Sequence, residues 1–226
     1  MSMGMFIIYF AILMIVPFWA QMKVKSTYKK YSNVATSSRK SGAEVAQEIL
    51  SQNGLYDVSI EEVPGTLTDH YDPRSKVVRL SSNNYHGHSM ASSAVAAHEV
   101  GHAMQDAENY AFLKFRSALV PLASFGSNSA MFIILAGIIF SANNLIGLGV
   151  IFMAFAVLFQ LVTLPVEFNA SSRAMDQLVS TGIIVNAEER ETKKVLNAAA
   201  LTYVAAALVA VAELMRFLLI FLNNRD

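Results

Sequence analysis

The 226 residues include no cysteine. That absence removes disulfide staples, thiolate zinc ligands and a cysteine nucleophile together, so any metal must be held by His, Asp or Glu. Charge is also scarce: 15% of the residues are charged, and 17 basic residues balance 17 acidic ones. A chain with no net charge lacks the positive field that gathers phosphates, which argues against a nucleic-acid partner. What the sequence does have is apolar residues, 54% of the total. That is the composition of a chain solvated partly by lipid, and it makes the bilayer the first expected partner.

Crossing a hydrocarbon core takes about 20 apolar residues at the helical rise. Residues 3–20, 119–140, 145–164 and 198–222 meet that length. The first segment has no basic residue ahead of it and no small-x-small cleavage site before the Lys run that begins at Lys23, so it reads as a retained anchor rather than a signal peptide. The fourth contains Glu213 and Arg216. Intramembrane charge is costly unless paired, and a separation of three residues lets these two pair on one helix face.

The basic residues set the orientation. Lys23, Lys25, Lys29, Lys30, Arg39 and Lys40 follow the first span, Lys114 and Arg116 precede the second, and Arg173, Arg190, Lys193 and Lys194 follow the third. The link 141–144 between spans two and three has no Lys or Arg, and only Arg216 and Arg225 lie beyond the last cluster. The positive-inside rule then places the N-terminus outside and the polar regions in the cytosol of a multi-pass plasma-membrane protein. The expected organisation is an anchor at 1–22, a cytosolic α+β portion at 23–117, a transmembrane hairpin at 118–166, a cytosolic segment at 167–197 and a last span at 198–226. The fold class is mainly α, a multi-span helical membrane protein with a short sheet in its cytosolic portion.

Within that portion Ser41-Gly42-Ala43-Glu44 matches a capping box, Val45, Ile49 and Leu50 share one helix face, and Gly54 stands where a helix ends. Residues 58–63, 66–71 and 76–80 read as strands separated by Pro64-Gly65 and by the turn Asp72-Pro73-Arg74-Ser75. From Ser89 onward Ala, Ser and Met dominate with no Pro before Pro121, which predicts a helix continuing toward the second span.

That helix carries His98-Glu99-Val100-Gly101-His102. Residues four apart lie on one helical face, so both imidazoles can address a single zinc ion while Glu99, beside the first, reaches a water activated there. Such a carboxylate takes the water's proton and passes it to a leaving amine, which is peptide hydrolysis without a covalent intermediate.

A catalytic zinc site, one ion per chain, needs a third protein ligand and one open position. The extension of the motif by a Gly and a further His is absent, because Gln105 and Glu108 stand at those places. A helix running on past His102 turns Glu108 away from the metal. Glu167 is the best candidate: it follows Leu164-Pro165-Val166 at the cytosolic end of span three, near the depth at which the motif helix enters span two. Asp176 is a weaker one, and His70, His86 and His88 read as surface or turn histidines.

These stretches resemble the bacterial YugP-like neutral zinc metallopeptidases. The likeness is carried by residues 41–50, by Gly65-Thr66-Leu67-Thr68-Asp69-His70-Tyr71-Asp72-Pro73, by residues 95–105 around the motif, and by Leu164-Pro165-Val166-Glu167-Phe168-Asn169-Ala170-Ser171. The resemblance implies a membrane metallopeptidase. More distantly the chain is similar to the HtpX and CAAX prenyl protease group, whose third ligand opens a Glu-x-x-Ala-Asp type element. Glu167 and Ala170 fit that element, and Ser171 replaces its Asp. In that group the Asp supports a ligand histidine, which leaves Asn169, Ser171 and Asp176 as candidates for the role here.

The expected function is a membrane-bound zinc metalloendopeptidase acting on membrane or membrane-proximal polypeptides. Its site residues would be His98, His102 and Glu167 as ligands and Glu99 as general base. An extended substrate is expected to pair with an edge strand at 67–71 or 77–80. A silent scaffold of the same fold and a transporter are the rival readings; the intact Glu99 argues against the first, and the lack of a discontinuous repeat against the second.

Overall fold

The computed structural model describes residues 3–223, so Arg225 lies outside the described residues. In chain order the elements are α1 (Met3–Tyr31), α2 (Gly42–Gln52), β1 (Ser59–Val63), β2 (His70–Asp72), β3 (Val77–Ser81), α3 (Ser82–Tyr85), α4 (Met90–Ala107), α5 (Ala111–Ile139), α6 (Asn143–Ser180) and α7 (Asn186–Asn223). The protein is mainly helical with one small sheet. Helices α1, α5, α6 and α7 are long and apolar enough to cross a membrane. The chain divides into two compact units, one made of residues 1–18, 111–165 and 203–226, the other of 19–110 and 166–202.

Among the described residues the first unit is helical apart from the turn at 140–142. Helices α5 and α6 approach closely at Gly126, where an added Cβ would stand 2.4 Å from the carbonyl oxygen of Phe152. Between apolar helices in lipid, small residues gain contact by letting backbones come together. Glu213 and Arg216 on α7 form the expected pair at 2.5 Å, and the Tyr9 hydroxyl of α1 donates to Glu213 at 2.8 Å. The Arg216 guanidinium also lies over the Phe217 ring, 4.1 Å from its centroid. Paired and stacked in this way, the two charges are not left bare among apolar helices.

The second unit is α+β. Ser41 caps α2 as its sequence predicts: the Glu44 N–H donates to the Ser41 hydroxyl at 3.3 Å, and the Ser41 N–H donates to the Glu44 carboxylate at 2.7 Å. Gly54 follows the helix with φ +70°, a conformation open to glycine without a Cβ penalty. Val45, Ile49 and Leu50 on α2 join Val78 and Leu80 on β3 and Ala94, Ala97 and Val100 on α4 in one core. Helix α4 is buried over most of its surface, which its run of alanines permits.

The sheet has the order β1-β3-β2, with β1 parallel and β2 antiparallel to β3. Residues 77–80 therefore lie in the central strand, and their expected role as an edge is wrong. The strand expected at 66–71 is also mostly loop. Gly65 and Leu67 have φ of +112° and +57°, outside the extended region, and the Thr68 hydroxyl turns back to donate to the Pro64 carbonyl at 3.0 Å. In place of a backbone ladder, the Asp69 carboxylate accepts the Ser81 N–H at 2.7 Å.

Helix α4 does not continue toward the second span. It stops at Ala107, and Asn109 takes the left-handed conformation with φ 56°. The Tyr110 N–H reaches the Gln105 carbonyl at 2.9 Å and the Asn109 N–H reaches that of Asp106 at 3.0 Å, the Schellman pattern, in which asparagine can serve in place of glycine. Helix α5 then starts afresh at Ala111 and carries Pro121 within it.

Candidate metal centre

Two helices of the second unit build the centre. His98 and His102 lie one turn apart on α4, their ring centroids 4.8 Å apart and their planes at 83°. Glu167 stands on α6 two residues after Pro165. His98 Nε2 is 3.3 Å and His102 Nε2 3.6 Å from Glu167 Oε2. One ligand atom from each of the three residues lies within 4.8 Å of the other two. Glu167 is buried and the two histidines are partly so: 13% and 12% of their side chains is exposed, against 4% of Glu167. The donor set of two imidazoles and a carboxylate is one that binds zinc in catalytic sites.

This convergence needs α4 and α6 to come unusually close. Gly101, between the two histidines, allows it: a Cβ there would lie 2.6 Å from the Ala170 carbonyl oxygen. Any larger residue would press on backbone, which cannot swing aside as a side chain can.

Glu99 is buried beside the histidines. Burial raises the pKa of its carboxyl; His98 and His102 counteract this, while Asp69 and Glu167 add to it. For His102, burial works against the charged form, but the adjacent Glu167 carboxylate outweighs it and raises the imidazole's pKa, with Glu99 and Gln105 contributing.

Each histidine is held from behind through Nδ1. The Ser171 hydroxyl is 3.2 Å from His98 Nδ1, and the Gln105 carboxamide oxygen is 3.0 Å from His102 Nδ1. Ser171 is thus the one of the three candidates Asn169, Ser171 and Asp176 that contacts a histidine of the centre. Gln105 is the residue that sequence reasoning missed as a participant; the available signal was its place three residues after His102, next door on the helix surface.

The remaining candidates are elsewhere. Glu108 ends α4 and binds Arg173 through two contacts of 2.7 Å. Asp176 is exposed. His70 Nδ1 contacts the Thr68 carbonyl at 2.9 Å, His86 Nε2 contacts Glu62 at 3.1 Å, and His88 is exposed; none of the three belongs to the His98, His102, Glu167 group.

Edge strand β2 stands against the motif helix. The Tyr71 hydroxyl donates to the Asp106 carboxylate at 2.9 Å, and burial together with that carboxylate raises the phenol's pKa. Behind the strand, Asn84 donates to Asp69 at 2.9 Å and accepts from the Tyr28 hydroxyl at 2.9 Å.

Comparison with known proteins agrees with this chemistry. Residues 6–222 match the family described as "Putative neutral zinc metallopeptidase". The chain is 57% identical over 209 residues to the "Putative membrane protease YugP" of Bacillus subtilis (strain 168), spanning 92% of this chain and 93% of that protein. No solved structure matches it. With a family match over nearly its whole length and a relative this similar, the chain belongs to the neutral zinc metallopeptidase family.

Proposed function

We infer that the protein is a membrane-bound zinc metalloendopeptidase of zincin type, with His98, His102 and Glu167 as metal ligands and Glu99 as general base. The observation that carries this reading is the meeting of the three ligand atoms within 4.8 Å, with a buried carboxyl next to one of them in sequence. When bound, zinc supplies a Lewis acid that brings water's pKa toward neutrality and polarises the scissile carbonyl. Glu99 receives the proton of the attacking water and delivers it to the departing amine. Ser171 and Gln105 orient the two imidazoles.

The β2 edge, tied to α4 through Tyr71 and Asp106, is the surface proposed to take an extended substrate backbone by strand addition. Main-chain pairing of that kind tolerates varied side chains, which suits an endopeptidase working on many polypeptides. The proposed topology has the anchor at 1–22, the hairpin at 118–166 and the last span at 198–226, with residues 23–117 and 167–197 on the cytosolic side of the plasma membrane. Its support is the distribution of Lys and Arg. Membrane proteins and membrane-proximal segments are then the substrates within reach.

The test is metal content together with hydrolysis. Purified wild type is expected to hold about one zinc per chain, and the double variant His98→Ala, His102→Ala essentially none. Glu99→Gln should keep its zinc and lose hydrolysis of a peptide that the wild type cleaves. Equal zinc in wild type and double variant would remove the site. A Glu99→Gln variant as fast as wild type would remove the general-base assignment. Zinc bound with no hydrolysis of any membrane polypeptide would favour the silent scaffold.

A further inference from the structure

Gln105 is fully buried, and three of the four hydrogen-bonding positions of its carboxamide are engaged, both N–H donors among them. Its Nε2 donates to the Val166 carbonyl at 2.8 Å and to Asn169 Oδ1 at 2.9 Å, and its Oε1 lies 3.0 Å from His102 Nδ1. An amide can in general be turned either way round. Here two groups decide the orientation separately. A main-chain carbonyl can only accept, so the nitrogen must face Val166. Asn169 Oδ1 also receives the Arg173 Nε–H at 2.8 Å, and because a guanidinium can only donate, it is the oxygen of Asn169 that sits there. Arg173 is itself clamped by the Glu108 carboxylate.

With its nitrogen committed on both sides, Gln105 offers His102 an oxygen, and that oxygen only accepts. In the neutral imidazole that a metal requires, His102 then carries its proton on Nδ1, which leaves the lone pair on Nε2, the atom that faces Glu167. The path Glu108, Arg173, Asn169, Gln105, His102 runs from α4 to α6 and back. It also ties the His102 side chain to the carbonyl of Val166, the residue before Glu167.

The geometry points to Gln105 as the positioning residue of the metal centre: held by Asn169 and Arg173, it sets the ligand tautomer of His102 and keeps that histidine in register with the helix that carries Glu167. The inference rests on the metal-site reading above and extends it to residues with no ligand atom. The acceptor behind His102 is neutral, in contrast to the carboxylate that often stands behind a zinc histidine.

The tautomer can be read in the wild type without any variant. In protein labelled with 15N at histidine and loaded with zinc alone, long-range 1H–15N correlation should show His102 protonated at Nδ1 and metal-bound through Nε2. The reverse assignment would overturn the inference while leaving the metal site intact. Zinc affinity, measured by competition with a chromophoric chelator, should fall about 10- to 100-fold in Gln105→Met, the range for groups that orient a ligand, and by a smaller factor in Asn169→Ala. The Co2+ absorption spectrum of Gln105→Met should shift, which a purely structural loss among molecules that still bind metal would not produce. If His102→Ala abolishes zinc binding while Gln105→Met and Asn169→Ala keep wild-type affinity and spectrum, this inference alone fails. If His102→Ala leaves zinc affinity unchanged, the site reading fails first and takes this one with it.

Discussion

The Ser171 hydroxyl of α6 lies 3.2 Å from His98 Nδ1 on α4. In the proposed centre the hydroxyl accepts the Nδ1–H and leaves Nε2 to the metal. Ser171→Ala should therefore weaken zinc binding by about tenfold, the low end for an orienting partner. Ser171→Asp should bind at least as tightly as wild type, because an anionic acceptor makes the imidazole a stronger donor to the metal. Chelator competition checks both, and wild-type affinity in Ser171→Ala would show that the contact does nothing for the ligand.

The close passage of α4 and α6 at Gly101 and Ala170 gives a second expectation. A Cβ at position 101 would sit 2.6 Å from backbone oxygen, so Gly101→Ala must push the helices apart. Overpacking of this sort costs about 1–3 kcal/mol, and here it also draws Glu167 away from the histidines. Thermal unfolding should show the loss of stability and metal analysis a loss of zinc. A Gly101→Ala protein with full zinc occupancy would mean that the centre tolerates a wider helix separation.

Glu167 can be separated from its rivals by single substitutions. Glu167→Ala should lower zinc affinity by more than the about 100-fold typical of an orienting group, and Asp176→Ala should have no effect because that side chain is exposed. Glu108→Ala should act only through Arg173, and so more weakly than Gln105→Met. Tight binding by Glu167→Ala together with weak binding by Asp176→Ala would move the third ligand along α6.

Asp72 offers a test by pH. The Ser75 hydroxyl, the Arg74 N–H and the Arg79 guanidinium stabilise its carboxylate and hold its pKa down to about 2, below the ordinary 3.8. A depressed carboxylate pKa contributes stability that is complete above the unfolded value and is lost as pH falls through the folded one. The melting temperature of wild type should therefore exceed that of Asp72→Asn at pH 5, and the gap should close toward pH 2. A gap that does not change with pH would assign the effect to shape rather than charge.

The features legible in the sequence were those set by near neighbours along the chain. Apolar runs mark the long helices because the length of a hydrocarbon core is a local count. The Ser41 capping box and Gly54 mark both ends of α2, and helical periodicity alone puts His98 and His102 on one face. The end of α4 is local too: Asn109 takes the left-handed conformation there with neither Gly nor Pro to mark it.

The loop at 66–69 was decided by tertiary structure, because β-branched Thr66 and Thr68 favour a strand until the Asp69 side chain takes the Ser81 N–H in place of the ladder. Only the fold could show that Ser171 stands behind His98 and that Gln105 is held from α6. Ser171 reaches His98, and Val166 and Asn169 reach Gln105, because Gly101 lets α4 approach α6 at Ala170, a contact between residues far apart in sequence. Such a contact depends on the shapes of two surfaces, and no periodicity in either segment records it.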